Sequence, residues 1–380
     1  MSSPPFFCPT RVVSGSTVAI AFSNAVANRS WILVTSSGWI GRDVLALLGT
    51  EAGHPVAIVA DAPVNPKVSD VLSLSKGLPA FEVAVAIGGG SVLDAAKGIV
   101  AATVLSDPKA DLLEHLQNGT PLPNGFLPAP LIAIPTTSGT GSEITRWATI
   151  WGDDNVKYSL QDQLLYPEVT ILDPALCCSM PREVTLASGL DALSHAMEAV
   201  WNNRHTALTD NLARTAIALL KRYLPRALSN GDDIECRTQM QSAAVMAGLA
   251  MSTTQTALAH SISYPFTALF GVPHGFACSF TLAEIARFNL TENSERLHPI
   301  AEGFGVEPQA LPDEIARWLE ELGVAEYLLS RVSLEMIDSL SGELITRARA
   351  ANNIRPANDI DARRLAKTSL QRLINSTQRQ

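Results

Sequence analysis

Four residues in this chain have types and spacings that suit a divalent metal ion. Asp191 and His195 lie four apart in Ser188-Gly-Leu-Asp-Ala-Leu-Ser-His-Ala-Met-Glu198. On a helix that spacing puts both on one face, one turn apart. Alone, the pair also fits an ordinary capped histidine on a helix surface. His260 and His274 change that weighting. They sit in Ala259-His-Ser-Ile-Ser-Tyr-Pro-Phe-Thr-Ala-Leu-Phe-Gly-Val-Pro-His-Gly275, an apolar stretch that predicts burial. A buried imidazole needs a partner. Pro273 and Gly275 predict that His274 stands on a tight turn rather than on a regular helix. One carboxylate with three imidazoles suits Fe(II) or Zn(II) better than Mg(II) or Ca(II). Four protein ligands still leave room for a substrate oxygen, because both ions can expand their coordination. The other histidines, His54, His115, His205 and His298, lie in polar or loop contexts and read as surface residues.

A second chemical signal is Gly88-Gly-Gly-Ser-Val-Leu-Asp-Ala-Ala-Lys97, which follows an apolar run and opens an apolar helix. Glycines let a backbone approach a ligand closely, and a helix start offers free N–H groups. Together these make a diphosphate site. The pattern is not GxGxxG, and a ligand-free strand-to-helix turn fits it as well. Pro135-Thr-Thr-Ser-Gly-Thr-Gly-Ser-Glu143 follows the next apolar run and carries hydroxyls suited to a ribose, a phosphate or an amide. Two such loops after neighbouring parallel strands fall at one sheet edge, where open α/β folds bind ligands.

The elements that must position these groups alternate in the first half. Apolar runs at 31–35, 54–60, 81–87 and 131–134 read as strands, and the segments at 39–49 and from 65 to 76 as helices. That pattern predicts a parallel sheet covered on both faces. After about Pro174 the chain turns to helical periodicity, at 184–200, 209–228, 235–251 and 312–350. The expected architecture is an α/β dinucleotide-binding domain over 1–177 and an all-α metal-binding domain over 178–380.

Of the 380 residues, 47% are hydrophobic and 17% charged, enough to build a core and contrary to disorder. The net charge of −9 argues against nucleic acid and anionic membranes as partners. Five cysteines, two of them adjacent and none in a CxxC pair, read as reduced thiols of a cytoplasmic protein. No stretch predicts a signal peptide or a membrane span.

These pieces together resemble the iron-containing (group III) alcohol dehydrogenase family. The resemblance runs from about residue 11 to 370. It is carried by Asn65-Pro66, the 88–97 and 135–143 motifs, Lys157, Asp173-Pro174, the 187–199 segment and the stretch from His260 to His274. It implies a dehydroquinate synthase-like architecture with a cleft between the domains. It makes Asp191, His195, His260 and His274 the metal ligands. Ser36, Asn65, Gly88, Gly89, Gly90, Ser91, Asp94, Thr136, Thr137, Thr140, Ser142 and Lys157 become the cofactor contacts. The implied activity is metal-dependent, NAD(P)H-linked reduction of a small aldehyde to its alcohol. Fe(II) is the expected metal, with Zn(II) as the alternative, and a homodimer or larger homo-oligomer the expected assembly.

Two positions depart from the family pattern. Many relatives carry a further histidine four residues after the third ligand, where this chain has Tyr264. Tyr264 is expected to bind substrate, to relay a proton as a neutral phenol, or only to pack. NAD-preferring members often carry an aspartate after the first of these strands. This chain has Leu33-Val-Thr-Ser-Ser-Gly38, which leaves a 2′-phosphate unopposed, with Arg42 the nearest basic group. The segments around Trp147 and Tyr264 look most like the phosphonoacetaldehyde reductases of that family, which form 2-hydroxyethylphosphonate in phosphonate natural-product biosynthesis. A dianionic substrate calls for cations, and Arg146 and Arg204 are the candidates. The competing readings are a general short-chain alcohol or lactaldehyde dehydrogenase, a dehydroquinate synthase-like lyase, and a silent nucleotide-binding scaffold.

Overall fold

The computed structural model describes residues 5–154 and 156–378. They form two compact units. One comprises Cys8–Thr137 and Gly141–Ser179, and the other runs from Met180 onward and takes in residues 5–7 and Ser138–Thr140. The hydroxyl-rich loop is therefore shared, since three of its residues belong with the helical unit.

The first unit is built on a six-stranded parallel sheet. In chain order its strands are β1 (Arg11–Ser14), β2 (Trp31–Val34), β3 (Ala57–Val59), β4 (Val83–Gly88) and β5 (Leu131–Pro135). A separate antiparallel ribbon of β6 (Trp147–Trp151) and β7 (Lys157–Gln161) follows, and then β8 (Val169–Leu172) completes the sheet. The order across the sheet is β1-β8-β5-β4-β2-β3. Side chains alternate along each strand. In β4, Val83, Val85 and Ile87 join one apolar layer while Ala84 and Ala86 join the other. Both faces are thus covered, which is why these runs carry so few polar residues.

The order also explains where a ligand belongs. From β2 the chain steps outward to β3, then returns to lay β4 on the other side of β2 and continues to β5. The strand order therefore reverses between β2 and β4, and open sheets bind ligands at the carboxyl ends of such strands. Ser36 follows β2 there, and Gly88 ends β4.

Helix α1 (Gly90–Ala102) leaves that turn. The second unit is built of helices, led by α2 (Arg182–Val200), α3 (Ala207–Ser229), α4 (Ile234–Thr254), α5 (Leu258–Phe270), α6 (His274–Ser279) and α7 (Asp359–Thr377). From Ser188 to Val200 every residue of α2 is buried, so it is the centre of its unit rather than an amphipathic cover.

Three readings of the sequence, two from periodicity and one from local context, need correction. The helical segment 39–49 is two short helices, Ser37–Ile40 and Val44–Leu48. The stretch 312–350 is four pieces, Leu311–Glu321, Val324–Leu329, Leu334–Ser339 and Arg347–Ala350, punctuated by left-handed Gly323 and Gly342. His115 is buried rather than superficial. Its Nδ1 lies 2.7 Å from the Thr120 carbonyl, and its Nε2 accepts the Gln161 N–H at 3.2 Å.

Candidate metal centre and dinucleotide turn

The metal candidates come from three helices of one unit. Helix α2 carries Asp191 and His195, α5 carries His260, and α6 begins at His274. The expected tight turn at His274 is a short helix instead, with Pro273 at its N-cap. Pro273 suits that position because its backbone has no N–H to leave unpaired. Gly275 is required by proximity: a Cβ there would collide with the Ala187 backbone carbonyl of α2. That contact sets His274 against the helix bearing Asp191 and His195.

The four side chains converge. The Nε2 atoms of His195, His260 and His274 lie 3.8, 3.5 and 3.9 Å from Asp191 Oδ1. The His195 and His260 rings stack at 4.6 Å between centroids, and His260 meets His274 edge-on at 5.3 Å. Ligand atoms about 2.1 Å from a tetrahedral ion are about 3.4 Å apart. The observed separations are close to that figure. Asp191 Oδ1 and His260 Nε2, which face one another across 3.5 Å, are buried without a hydrogen-bond partner among the described residues. Orphaned atoms of this kind are costly unless something is bound between them. The residues therefore fit a divalent cation.

The electrostatics of Asp191 and His195 point the same way. Burial pushes the Asp191 carboxyl upward, but the three histidines, His195 foremost, overcome that and hold it well below the carboxylate range. Burial lowers His195 to about 4, so its imidazole is neutral at physiological pH and can act as a ligand.

Glu198 was absent from the expected site, yet it organises one ligand. It lies at the end of α2, fully buried. Its carboxylate accepts the N–H groups of Ala257, Ala259 and His260 at 2.9, 2.6 and 3.1 Å. It therefore caps α5, whose own N-cap residue, Ala257, has no side chain to do so. It also takes His260 Nδ1–H at 2.6 Å, which assigns that proton and leaves Nε2 facing Asp191. Burial raises Glu198, but His260 outweighs it and the carboxyl sits below its ordinary range. Cys278, one turn after His274, was also missed; its Sγ lies 3.6 Å from both His274 ring nitrogens.

Glu198→Gln is expected to weaken metal retention by about 10- to 100-fold with the fold kept. Chelator competition measures it. Unchanged affinity would reduce Glu198 to a helix cap.

The cofactor candidates of the sheet unit divide into two groups. Around the β4–α1 turn, Gly88 accepts the Thr136 N–H at 2.9 Å and Asn65 N–H donates to Ser91 Oγ at 3.2 Å. Gly89 is the N-cap of α1 and Gly90 its first residue. A Cβ on Gly88 would strike Val92, so the turn tolerates no side chain there. Thr137 packs beside Gly89. The second group is tied internally. Ser142 donates to Asp94 Oδ1 at 2.6 Å, and Asp94 Oδ2 accepts the Thr149 N–H at 2.9 Å. Lys97, fully buried, donates to the carbonyls of Ser142, Thr145 and Trp147 at 2.6 to 2.7 Å. Lys157 opens β7 opposite Trp151. Thr140 falls in the helical unit. Ser36 N-caps the Ser37–Ile40 helix, and Arg42 is engaged with Ser179 Oγ at 2.7 Å and with the Trp39 ring.

Two family models match this sequence. "Iron-containing alcohol dehydrogenase" covers residues 9–174, and "Fe-containing alcohol dehydrogenase family, C-terminal" covers residues 185–367. A phosphonoacetaldehyde reductase from Streptomyces viridochromogenes is 32% identical over 361 residues, 90% of this chain and 88% of that protein. The chain belongs to the iron-containing alcohol dehydrogenase family. It is an oxidoreductase of small aldehydes and alcohols. Choline dehydrogenase from Bacillus subtilis is 34% identical over 290 residues, 72% of this chain and 70% of the other. Among solved structures, a sulfoacetaldehyde reductase from Bifidobacterium kashiwanohense in complex with NAD+ superposes with a TM-score of 0.86 at 27% identity. That match covers 97% of this chain and 99% of the other. The family's fold is the one seen here, a parallel-sheet α/β unit followed by helices.

The substrate candidates lie on separate segments. Tyr264 lies one turn after His260 on α5 and is half-buried. Arg146 stacks over the Trp147 ring at 5.2 Å. Arg204 falls past the end of α2, its backbone N–H bound to Asn202 Oδ1 at 2.9 Å. No helix of the described residues is long and apolar enough to cross a membrane.

Proposed function

We propose that this enzyme reduces phosphonoacetaldehyde to 2-hydroxyethylphosphonate, within phosphonate natural-product biosynthesis, using NADPH and a metal held by Asp191, His195, His260 and His274. The observation that carries the substrate is the extent of the phosphonoacetaldehyde reductase match, 90% of this chain and 88% of the relative. The sulfoacetaldehyde reductase among the structural neighbours supports the same chemistry, a two-carbon aldehyde bearing an anion. Fe(II) is the proposed metal, with Zn(II) as the alternative, and NADH the alternative cofactor. Ser36 at the end of β2, where an acid would repel a 2′-phosphate, supports NADPH.

A bound divalent ion stabilises charge developing on a carbonyl oxygen, and a bound nicotinamide supplies the hydride. The chain's own residues do the rest. Asp191 supplies the negative charge of the centre, and the three imidazoles complete it. Glu198 fixes the His260 tautomer. The Gly88–Ser91 turn and the start of α1 offer N–H groups to a diphosphate. The reading gives Tyr264 substrate contact or proton donation, and Arg146 and Arg204 the phosphonate. We further propose a cytoplasmic homodimer or larger homo-oligomer.

The test is oxidation of NADPH and NADH by Fe(II)-loaded protein under anaerobic conditions, with phosphonoacetaldehyde beside sulfoacetaldehyde, propionaldehyde and lactaldehyde. The expected result is a kcat/KM preference of about a hundredfold or more for phosphonoacetaldehyde over the uncharged aldehydes, since unpairing a charge-binding site is costly. Comparable rates on all four would replace this reading with a general short-chain dehydrogenase.

A further inference from the structure

We propose that Cys278 is a sulfur donor to the metal centre, a fifth protein ligand beside Asp191, His195, His260 and His274. The inference rests on the metal reading above and goes beyond its nitrogen and oxygen set. Cys278 is fully buried on α6, one turn from His274 and on the same face. A carboxylate oxygen of Asp191, ring nitrogens of His260 and His274, and the Cys278 sulfur all lie within 4.8 Å of one another. Sγ is 3.6 Å from His274 Nε2. An ion bound to sulfur at about 2.3 Å and to nitrogen at about 2.1 Å, with the roughly 90–120° angles of a five-coordinate array, separates the two by about 3.1–3.8 Å. The sulfur thus stands where a ligand would stand.

A second observation points to a cation independently of the thiol. Asp191 Oδ1 and His260 Nε2, on two other helices, are buried, unpartnered and directed at one another across 3.5 Å. Binding would release the thiol proton to solvent and leave a thiolate on the ion. The centre would then carry two negative ligands and be electrically neutral with a divalent metal. Thiolate is the softer donor and favours Zn(II) and Co(II) over harder ions.

Cobalt makes the sulfur visible. The full-length protein is stripped with a chelator, loaded with Co(II) and examined by absorption spectroscopy. The expected spectrum has visible d–d bands and, in addition, a near-ultraviolet sulfur-to-cobalt charge-transfer band. Cys278→Ser and Cys278→Ala should each lose the charge-transfer band while keeping the d–d bands. Visible bands with no charge-transfer band in the unaltered protein would overturn the sulfur ligand and leave the metal centre standing. A charge-transfer band that survives in both variants would assign it to another thiol and overturn the proposal. Failure to take up Co(II) would overturn this inference and the metal centre together.

Discussion

His260→Ala is expected to cut aldehyde-dependent turnover by about a thousandfold or more, because loss of several kcal/mol of transition-state stabilisation corresponds to factors of ten per 1.4 kcal/mol. The reason lies in the position of one nitrogen. Nε2 of His260 faces Asp191 Oδ1 at 3.5 Å, while Nδ1 is committed to Glu198. Alanine removes the donor and leaves the rest of the cluster in place. Asp191→Asn should act in the same direction, since it removes the negative charge that the three imidazoles surround. Dinucleotide binding should be unchanged in both, because the Gly88–Ser91 turn belongs to the other unit. Steady-state kinetics and NADPH fluorescence titration measure the two quantities separately. Near-normal turnover in His260→Ala would show that this nitrogen does no work in the reaction.

The second large effect is on stability. Lys97→Met is expected to destabilise the protein by about 3–5 kcal/mol, the cost of removing one member of a buried charged network. Methionine matches the length of the lysine stem but donates nothing. Three backbone carbonyls, those of Ser142, Thr145 and Trp147, would lose their donor, and Asp94 would lose its nearby cation. Burial already lowers the Lys97 ammonium to about 8, against the pull of Asp94 and Glu143. The ion is therefore held by its hydrogen bonds and by those acids, not by water. Denaturant unfolding monitored by circular dichroism gives the difference. A change below about 1 kcal/mol, typical of an exposed pair, would mean that the network has little role in holding the 142–149 segment to α1.

The convergence of the four proposed metal ligands was readable from sequence because each carries its own local signal. Asp191 and His195 have helical spacing, and His260 and His274 are imidazoles in apolar surroundings. The α/β pattern was readable for a similar reason, since continuous apolar runs mark strands buried on both faces. Other features depend on tertiary folding. Glu198 reads as one more polar residue of α2 until the chain returns some sixty residues later and sets the start of α5 upon it. Its position three residues after His195, on the same face, was the available signal. Cys278 stands four residues after His274, a ligand spacing that goes unnoticed if His274 is placed on a turn instead of a helix. β1 and β8 were passed over because neither is a continuous apolar run like β2: Arg11 and Ser14 bound β1, and Thr170 interrupts β8. Gly323 and Gly342 were the punctuation that the helical reading of 312–350 ignored.

The measurement closest to the central claim is metal content paired with turnover. The purified protein is analysed for bound metal, stripped by chelator under anaerobic conditions, and returned to Fe(II). Aldehyde-dependent NADPH oxidation is followed at each stage. The account predicts one ion per chain at the Asp191–His195–His260–His274 centre, activity lost with the ion, and activity recovered on its return. Full turnover by metal-free protein would contradict it.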